Sequence, residues 1–512
     1  MTKNNKPIGG AGGGRRSPPP PRQPTRTPDT LHSKQFATFL DLISEGEIEG
    51  FATASKEGLT KGTTAYTNAS LKDVFLNDTP VLKATANSSS PATTDFNFQN
   101  VTFNSRFGTS SQTKISGIET SQSTIPVGSE VTTTAPVTRQ ITNTSVDAIK
   151  VSITFPQIQK ATDEGDLLGS SVQLKIAVQY NSGGFTDVIS DTITGRTADQ
   201  YQKDYRVNIT GAFPVDIRVI RVTADSTDSS LIDAFQFTSF TEIIDEAFTY
   251  DNSAYNSIRL DSQLFSGIPA RKFRIRGIKV RIPGTGANGS GTPSVDSATG
   301  RIVYPDGYIF NGVMGAATYT NCPAMCLLDL LTNTRYGLGD HITDSTLDLF
   351  SFVNASKFAN TLVDDGFGGQ EARFSCNVNI QSSGEVFDVI NELSGVMRCM
   401  PIWSAGTVNM TQDKPTDASY LFNLSNVGEG GFNYIGSSLK QRHSVVAVSY
   451  FNMDSQEIDV EVVEDSSLIS KIGTIVKQVK AFACTSRGQA ARLGRAILFS
   501  EANETEVCTF TT

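Results

Sequence analysis

The sequence predicts an α+β, mainly β fold spread over several domains, and three observations carry that expectation. Runs such as "AIKVSITF" (148–155), "SVQLKIAVQY" (171–180), "DIRVIRVT" (216–223) and "KFRIRGIKVRIP" (272–283) alternate apolar and polar residues with the two-residue period of half-buried strands. Helical periodicity is confined to a few short stretches. The 512 residues, 38% of them hydrophobic, are enough for roughly three or four cores.

Residues 1–33 are Gly, Pro, Arg and Thr with almost nothing to bury. They predict a disordered arm, either a solvated tail or a basic strap that orders on a neighbouring subunit or on nucleic acid. In "KQFATFLDLISEGEIEGF", Phe36, Phe39, Leu40 and Ile43 stand at helical spacing before Gly46, which predicts a first helix. "DVFLNDTPVL" (73–82) reads as a strand and a turn at Asn77, Asp78 and Pro80. Residues 84–145 are rich in Ser, Thr and Asn, as suits solvent-facing antiparallel sheet with long loops.

In the strand 272–283, Ile275, Ile278, Val280 and Ile282 are expected to face a core, with a bulge at Gly277. Arg271, Lys272, Arg274, Arg276, Lys279 and Arg281 would then line an exposed face, as a contact for another subunit, a partner's acidic edge or DNA, or as a solvated face that discourages edge pairing. "GTGANGSGTPS" (284–294) reads as a flexible loop between two halves; its glycines lack the spacing and strand-to-helix context of a phosphate-binding loop. Beyond it, "CPAMCLLDLLTNTRYGLG" predicts a helix ended by Gly337. "SGEVFDVINELSGVMRCM" predicts another, capped by Ser383, with Val386 and Phe387 inside and a break at Gly395. A hairpin around Gly406, with Trp403 packed on that helix, strands in "HSVVAVSYFN" and "EIDVEVVED", a helix from about Arg487 and a final strand complete the reading.

The bulk chemistry excludes several classes of function. No apolar run approaches the ~20 residues needed to span a bilayer, and the basic start lacks the apolar stretch of a secretory signal, so the chain is expected to be made and kept in cytoplasm. Net charge is −9, and the arm alone carries about +5, which leaves a mildly acidic body unsuited to general nucleic-acid binding. The six cysteines read as free, small apolar side chains; Cys322 and Cys326, four apart, lack a second close Cys or His pair for zinc. No cofactor or metal is expected.

Three histidines, His32, His341 and His443, come with no G-x-S-x-G or H-E-x-x-H pattern, so nucleophilic hydrolysis lacks its base. Paired acids for glycoside cleavage have candidates in Asp364, Asp365, Glu371 and Glu385, and in Glu45, Glu47 and Glu49. A single tryptophan is poor stock for the aromatic platforms of a sugar site, so the expectation is no enzyme, with a glycan- or wall-degrading enzyme or a receptor-binding protein as the alternative.

A series of collinear motifs goes further. "ISEG-IEG" (43–50), "LN-TPVL" (76–82), "P-TR-IT" (136–142), "SFTEIID" (239–245), "RYG-G" (335–339), "DGFGG-E-R--CN" (365–377), "MRCMP-W" (397–403), "QD-P-D" (412–417), "VED" (463–465) and "CTSRGQA-R" (484–492) resemble, in the same order, the family typified by the tail-tip attachment (host specificity) protein J of phage lambda and other long-tailed phages. The resemblance implies the hub portion of a virion tail tip. There, three copies ring the distal end of the tail tube, with β-barrel-like hub domains that close it and open for the genome.

The partners so implied are further copies of the chain, the distal tail protein ring, the tape-measure protein, other tail-tip proteins and a separate receptor-binding fibre, with DNA only in transit. The expected division is a disordered arm (1–34), a first hub region (35–98 with 241–283), an inserted polar β domain (99–240), a connection (284–320), an α+β hub domain (321–415) and a β hub domain with a helix at 487–502 (416–512). The family's long extension of fibronectin-like modules, which carries receptor binding, would follow the hub and is expected to be missing. Gly366, Gly368, Gly369, Trp403 and Arg487 are expected to be structural residues of the motifs.

Overall fold

The computed structural model describes residues 22–245, 248–381, 386–404, 406–418, 420–436, 438 and 442–512. Strands take 39% of the chain and helices 17%, so it is mainly β. Among the described residues no sheet exceeds four strands and none closes into a barrel. The hub domains expected to be barrel-like are instead built of small open sheets stitched by helices.

Two compact units are present. The first holds residues 114–248 with the N-terminal segment and a short piece at 260–266. It is a sandwich of two antiparallel four-stranded sheets. One is ordered Phe185–Gly195, Ser170–Tyr180, Val215–Arg221, Val137–Ile141, the other Tyr201–Asn208, Ala148–Phe155, Gln236–Asp245, Glu119–Glu130. Alternation decides which side chains meet between them: Val172, Leu174 and Ile176 from one sheet and Val151, Ile153 and Phe155 from the other are buried in a single core. A register shift between Ile176 and Ala177 then brings Ala177 and Val178 both inside.

The described part of the N-terminal arm lies along this unit. Arg22 pairs with Asp166 at 2.6 Å, the Thr27 amide donates to the Leu167 carbonyl, and buried Arg196 donates through Nη1 to the Thr27 carbonyl and Asp29. Residues 22–33 thus find hydrogen-bond partners that their composition did not announce; residues 1–21 lie outside the described residues.

The second unit holds residues 39–113, 249–259 and 267–512. Here the expected first helix is a strand, Phe36–Glu45, in which side chains of higher and lower exposure alternate from Phe36 to Ile43. Its apolar residues fall on both faces, Phe36, Leu40 and Leu42 on the more exposed one and Phe39 and Ile43 on the other, and pairing in a sheet overrides the helical spacing. The turn at Asn77 and Asp78 has both residues at positive φ, 48° and 65°, as a two-residue hairpin requires, between Val74–Leu76 and Thr79–Pro80.

Strand Ile275–Pro283 pairs with Ile48–Phe51 and Met314–Tyr319. Its irregularity falls between Arg281 and Pro283, not at Gly277, where the pairing with Ile48–Phe51 runs through without a slip. Val280 and Ile282 are buried, while Ile275 and Ile278 are only partly covered. Segment 284–294 is held by hydrogen bonds from the Gly286 amide to the Gly291 carbonyl and from the Ala287 amide to the Ile309 carbonyl.

Helices Pro323–Thr332, Leu349–Ala359 and Val386–Val396 enclose the next core, with Leu327, Leu328, Leu331, Phe352, Leu393 and Met397 inside. The first ends at Thr332, before the expected Gly337, which lies in the following turn and donates its amide to the Asn333 carbonyl. The third runs through Gly395 without a break, and Phe387 is exposed on it, not inside. Ser383, its expected cap, lies outside the described residues. Trp403 belongs to the hairpin Cys399–Ser404 with Thr407–Gln412 and is 68% exposed, not packed on the helix.

The chain then forms a three-stranded sheet, Glu457–Glu464, Val445–Asn452, Val476–Lys480, under helix Arg487–Asn503. Val446, Val448, Tyr450, Ala490 and Leu498 close that core. A Cβ on Gly494 would stand 2.7 Å from the Val463 side chain, so this glycine sets how closely helix and sheet approach.

Candidate functional site

The basic run at 271–281 is occupied within its own chain. Arg271 forks onto Asp41 through two bonds of 2.7 Å, and Arg281 onto Asp344 through two of 2.8 Å. Lys272 pairs with Asp78, Arg274 with fully buried Asp73 at 2.7 Å, and Lys279 with Glu47 at 2.7 Å and Glu49 at 3.7 Å. Arg276 donates to the Ala298 carbonyl and lies over the Tyr319 ring. Burial pushes the Asp73 carboxyl up despite its bonds from Thr53 and Arg274, whereas the Arg281 fork holds Asp344 below the usual carboxylate range.

The motif residues, far apart in sequence, meet in pairs. Arg335 of "RYG-G" donates to Glu45 of "ISEG-IEG" at 2.5 Å, and a Cβ on Gly46 (φ +97°) would stand 2.9 Å from the Tyr336 ring. A larger joint links "DGFGG-E-R--CN" to "CTSRGQA-R". Ser486 caps helix Arg487–Asn503 by accepting from the Gln489 amide, and its hydroxyl donates to Glu371. Glu371 also pairs with Arg492 at 2.7 Å, and Arg492 donates onward to the Arg373 carbonyl at 3.0 Å.

Gln489 accepts from the Ser375 amide and donates to the Ser375 carbonyl, while Asn377 donates to Thr485. Gly488 permits the approach, because a Cβ there would meet Glu371 at 2.5 Å and the Asp365 carbonyl at 2.8 Å. Arg487 pairs with Glu461 at 2.7 Å and lies over the Phe367 ring, 4.0 Å from its centroid.

The glycine loop explains the remaining letters of the motif. Gly366 and Gly368 sit at φ +85° and +100°, and Asp365 accepts from the Phe367 and Gly369 amides. Those two amides hold the Asp365 carboxyl below its usual range. Of the acids considered for glycan cleavage, Asp365 and Glu371 are thus tied into the loop and the joint, Glu45 into Arg335, and Glu47 and Glu49 onto Lys279. Glu385 lies outside the described residues.

Among the described residues no group of three or more His, Cys, Asp or Glu is placed to hold a metal ion, and no helix is long and apolar enough to cross a membrane. His443 is bonded to Glu501, which also pairs with Lys477. The joint from Glu371 to Arg492 was visible only as fixed letters of two motifs, with nothing to say that they touch.

Known proteins bear on this architecture at three points. Residues 121–246, the sandwich, match the family described as "Tip attachment protein J, FNIII-A domain", and residues 385–512 match "Putative phage tail protein". These matches liken the chain to phage tail proteins, and its sandwich to a fibronectin-type domain. The chain is 29% identical over 440 residues to the Tip attachment protein J of Escherichia phage SECphi27 and 29% identical over 490 residues to that of Escherichia phage SECphi4, covering 85% and 94% of the chain. The chain is thus similar to J-type tail-tip proteins along most of its length.

The chain spans 35% and 40% of the length of those two relatives. The match to a fibronectin-type domain falls inside the segment read as hub. Among solved structures, one titled "CBM4 structure and function" aligns with 26% of the chain and 74% of its own at 12% identity, with a TM-score of 0.12 that carries no likeness of fold.

Proposed function

We infer that the chain is a structural, non-catalytic hub of the tail tip of a long-tailed phage, forming a homotrimeric ring at the distal end of the tail tube that closes it and opens for genome delivery. Its partners are its own copies, the distal tail protein ring, the tape-measure protein, other tail-tip proteins and a separate receptor-binding fibre, with DNA only passing through. Collinear similarity to tip attachment proteins over 85% and 94% of the chain carries this reading.

The surface of the terminal sheet supports it. Along edge strand Glu457–Glu464 the usual alternation is inverted: Ile458, Val460 and Val462 are exposed, while Glu461 turns inward to Arg487. An antiparallel strand with water on its outer face places polar residues there, so an apolar row on an edge strand suits a face covered by a second copy. The basic strand at 271–281 spends its charge inside the chain, which favours a brace over a grip on DNA.

Localisation in virions by gold-labelled antibody tests the reading. Label confined to the tail tip is expected, and label on capsid or tube would refute it. Release of sugar or peptide from host peptidoglycan or polysaccharide, abolished in Asp365→Asn, would instead establish an enzyme.

A further inference from the structure

Between helix Val386–Val396 and helix Arg487–Asn503 lies a cavity of about 220 Å³, lined in part by Phe374, Val396, Phe482 and Leu493 and by the cations Arg398, Lys480 and Arg492. Among the described residues that line it, the one carboxylate is that of exposed Glu392. Arg492 has a partner in Glu371, but among the described residues neither Arg398 nor Lys480 is in an ion pair. The Nε of Arg492 and that of neighbouring Arg373 are buried with no acceptor among the described residues.

Burial, and then the guanidinium groups of Arg492 and Arg398, hold Arg373 below the usual arginine range, so a further cation adds its charge to those that line the cavity. Arg398 also stands in the left-handed region at φ +52°, a conformation that a non-glycine residue adopts at a cost. Lys480 is exposed and Arg398 half-buried, so both charges are open to an entering anion, and like charges held together favour its binding.

We propose that this cavity binds a carboxylate carried on a short apolar stem. Arg398 and Lys480 take the charge, and Phe374, Phe482 and Leu493 cover the stem. The volume, below the roughly 300–1,000 Å³ of sites for drug-sized ligands, limits the occupant to a small one. Bare inorganic anions leave the aromatic walls unmatched. The same chemistry is offered by an acidic side chain flanked by apolar residues on a docking protein and by a free short-chain acid. The proposal stands independently of the tail-tip reading.

Thermal melting of the full chain tests it, with hexanoate, hexanamide, inorganic phosphate and the peptide acetyl-Leu-Glu-Leu-amide as probes at matched ionic strength. Hexanoate or the peptide should raise the melting temperature by about 2–4 °C, as expected when a ligand in large excess over its Kd binds the folded state. Hexanamide should leave it unchanged. A response to the peptide alone identifies a protein segment as the occupant, and a response to hexanoate identifies a free acid.

The double variant Arg398→Gln/Lys480→Gln, which breaks no ion pair among the described residues, should fold and lose the shift. No shift with either carboxylate, an equal shift with phosphate or hexanamide, or a shift retained in the double variant would overturn the proposal.

Discussion

The joint between the two motifs rests on Glu371, and removing its charge is the sharpest test of the motif residues as structural latches. Its carboxylate accepts from Arg492 and from Ser486, and the paired side chains are 26% and 20% exposed. Exposed pairs contribute about 0–1 kcal/mol, and breaking a fully buried one costs about 3–5 kcal/mol. The intermediate burial here places Glu371→Gln at roughly 2 kcal/mol.

The loss should fall on local opening, because the bonds tie the first turn of helix Arg487–Asn503 to residues 371–375. Amide hydrogen exchange in that turn reads the opening free energy directly, and roughly 2 kcal/mol corresponds to about thirtyfold faster exchange. A double-mutant cycle with Arg492→Gln isolates the pair, with a coupling of about 1–2 kcal/mol expected. Exchange changed less than twofold, with additive single variants, would refute the latch.

Three further outcomes follow from the same contacts. Gly488→Ala would press a Cβ against Glu371 and the Asp365 carbonyl and should destabilise the joint by about 1–3 kcal/mol, readable by denaturant titration; an unchanged midpoint would contradict the close approach. Ile153→Ala removes a fully buried side chain from the sandwich and should cost about 2–5 kcal/mol, seen as a lower melting temperature for that unit. The Arg281 fork lowers the folded-state pKa of Asp344, so its stabilisation is complete above the ordinary aspartate range and fades as pH falls through the lowered folded value. With Asp344 43% exposed, the effect should stay under about 1 kcal/mol. Asp344→Asn should remove that part of the acid dependence of melting, and an identical acid profile in the variant would refute it.

Period and turn chemistry are legible in the residues themselves. The sandwich strands follow alternation in "SVQLKIAVQY" and "AIKVSITF", and Asn77–Asp78 marks a turn because both residues tolerate positive φ. Where apolar residues stand at helical spacing in one short run, as at Phe36–Glu45, pairing with other strands can override the period, and that information is not local.

The candidate site was legible as letters but not as contacts. Glu371 and Arg492 are 121 residues apart, and nothing in either segment specifies the other. The basic strand misled for the same reason. Six cations at 271–281 look like an exposed face until Asp41, Asp73, Asp78, Glu47 and Asp344 are brought beside them. The arm from Arg22 has too little apolar surface to announce its place, which is set by Asp166 and Arg196.

The central claim, a ring-forming structural hub, is tested most directly by light scattering on the purified chain at high concentration. A mass three times the 55.0 kDa of one copy is expected, falling to one copy when Val460→Lys and Val462→Lys charge the apolar row. A mass of one copy for the unaltered chain, at high concentration and in the presence of the distal tail ring, would contradict it.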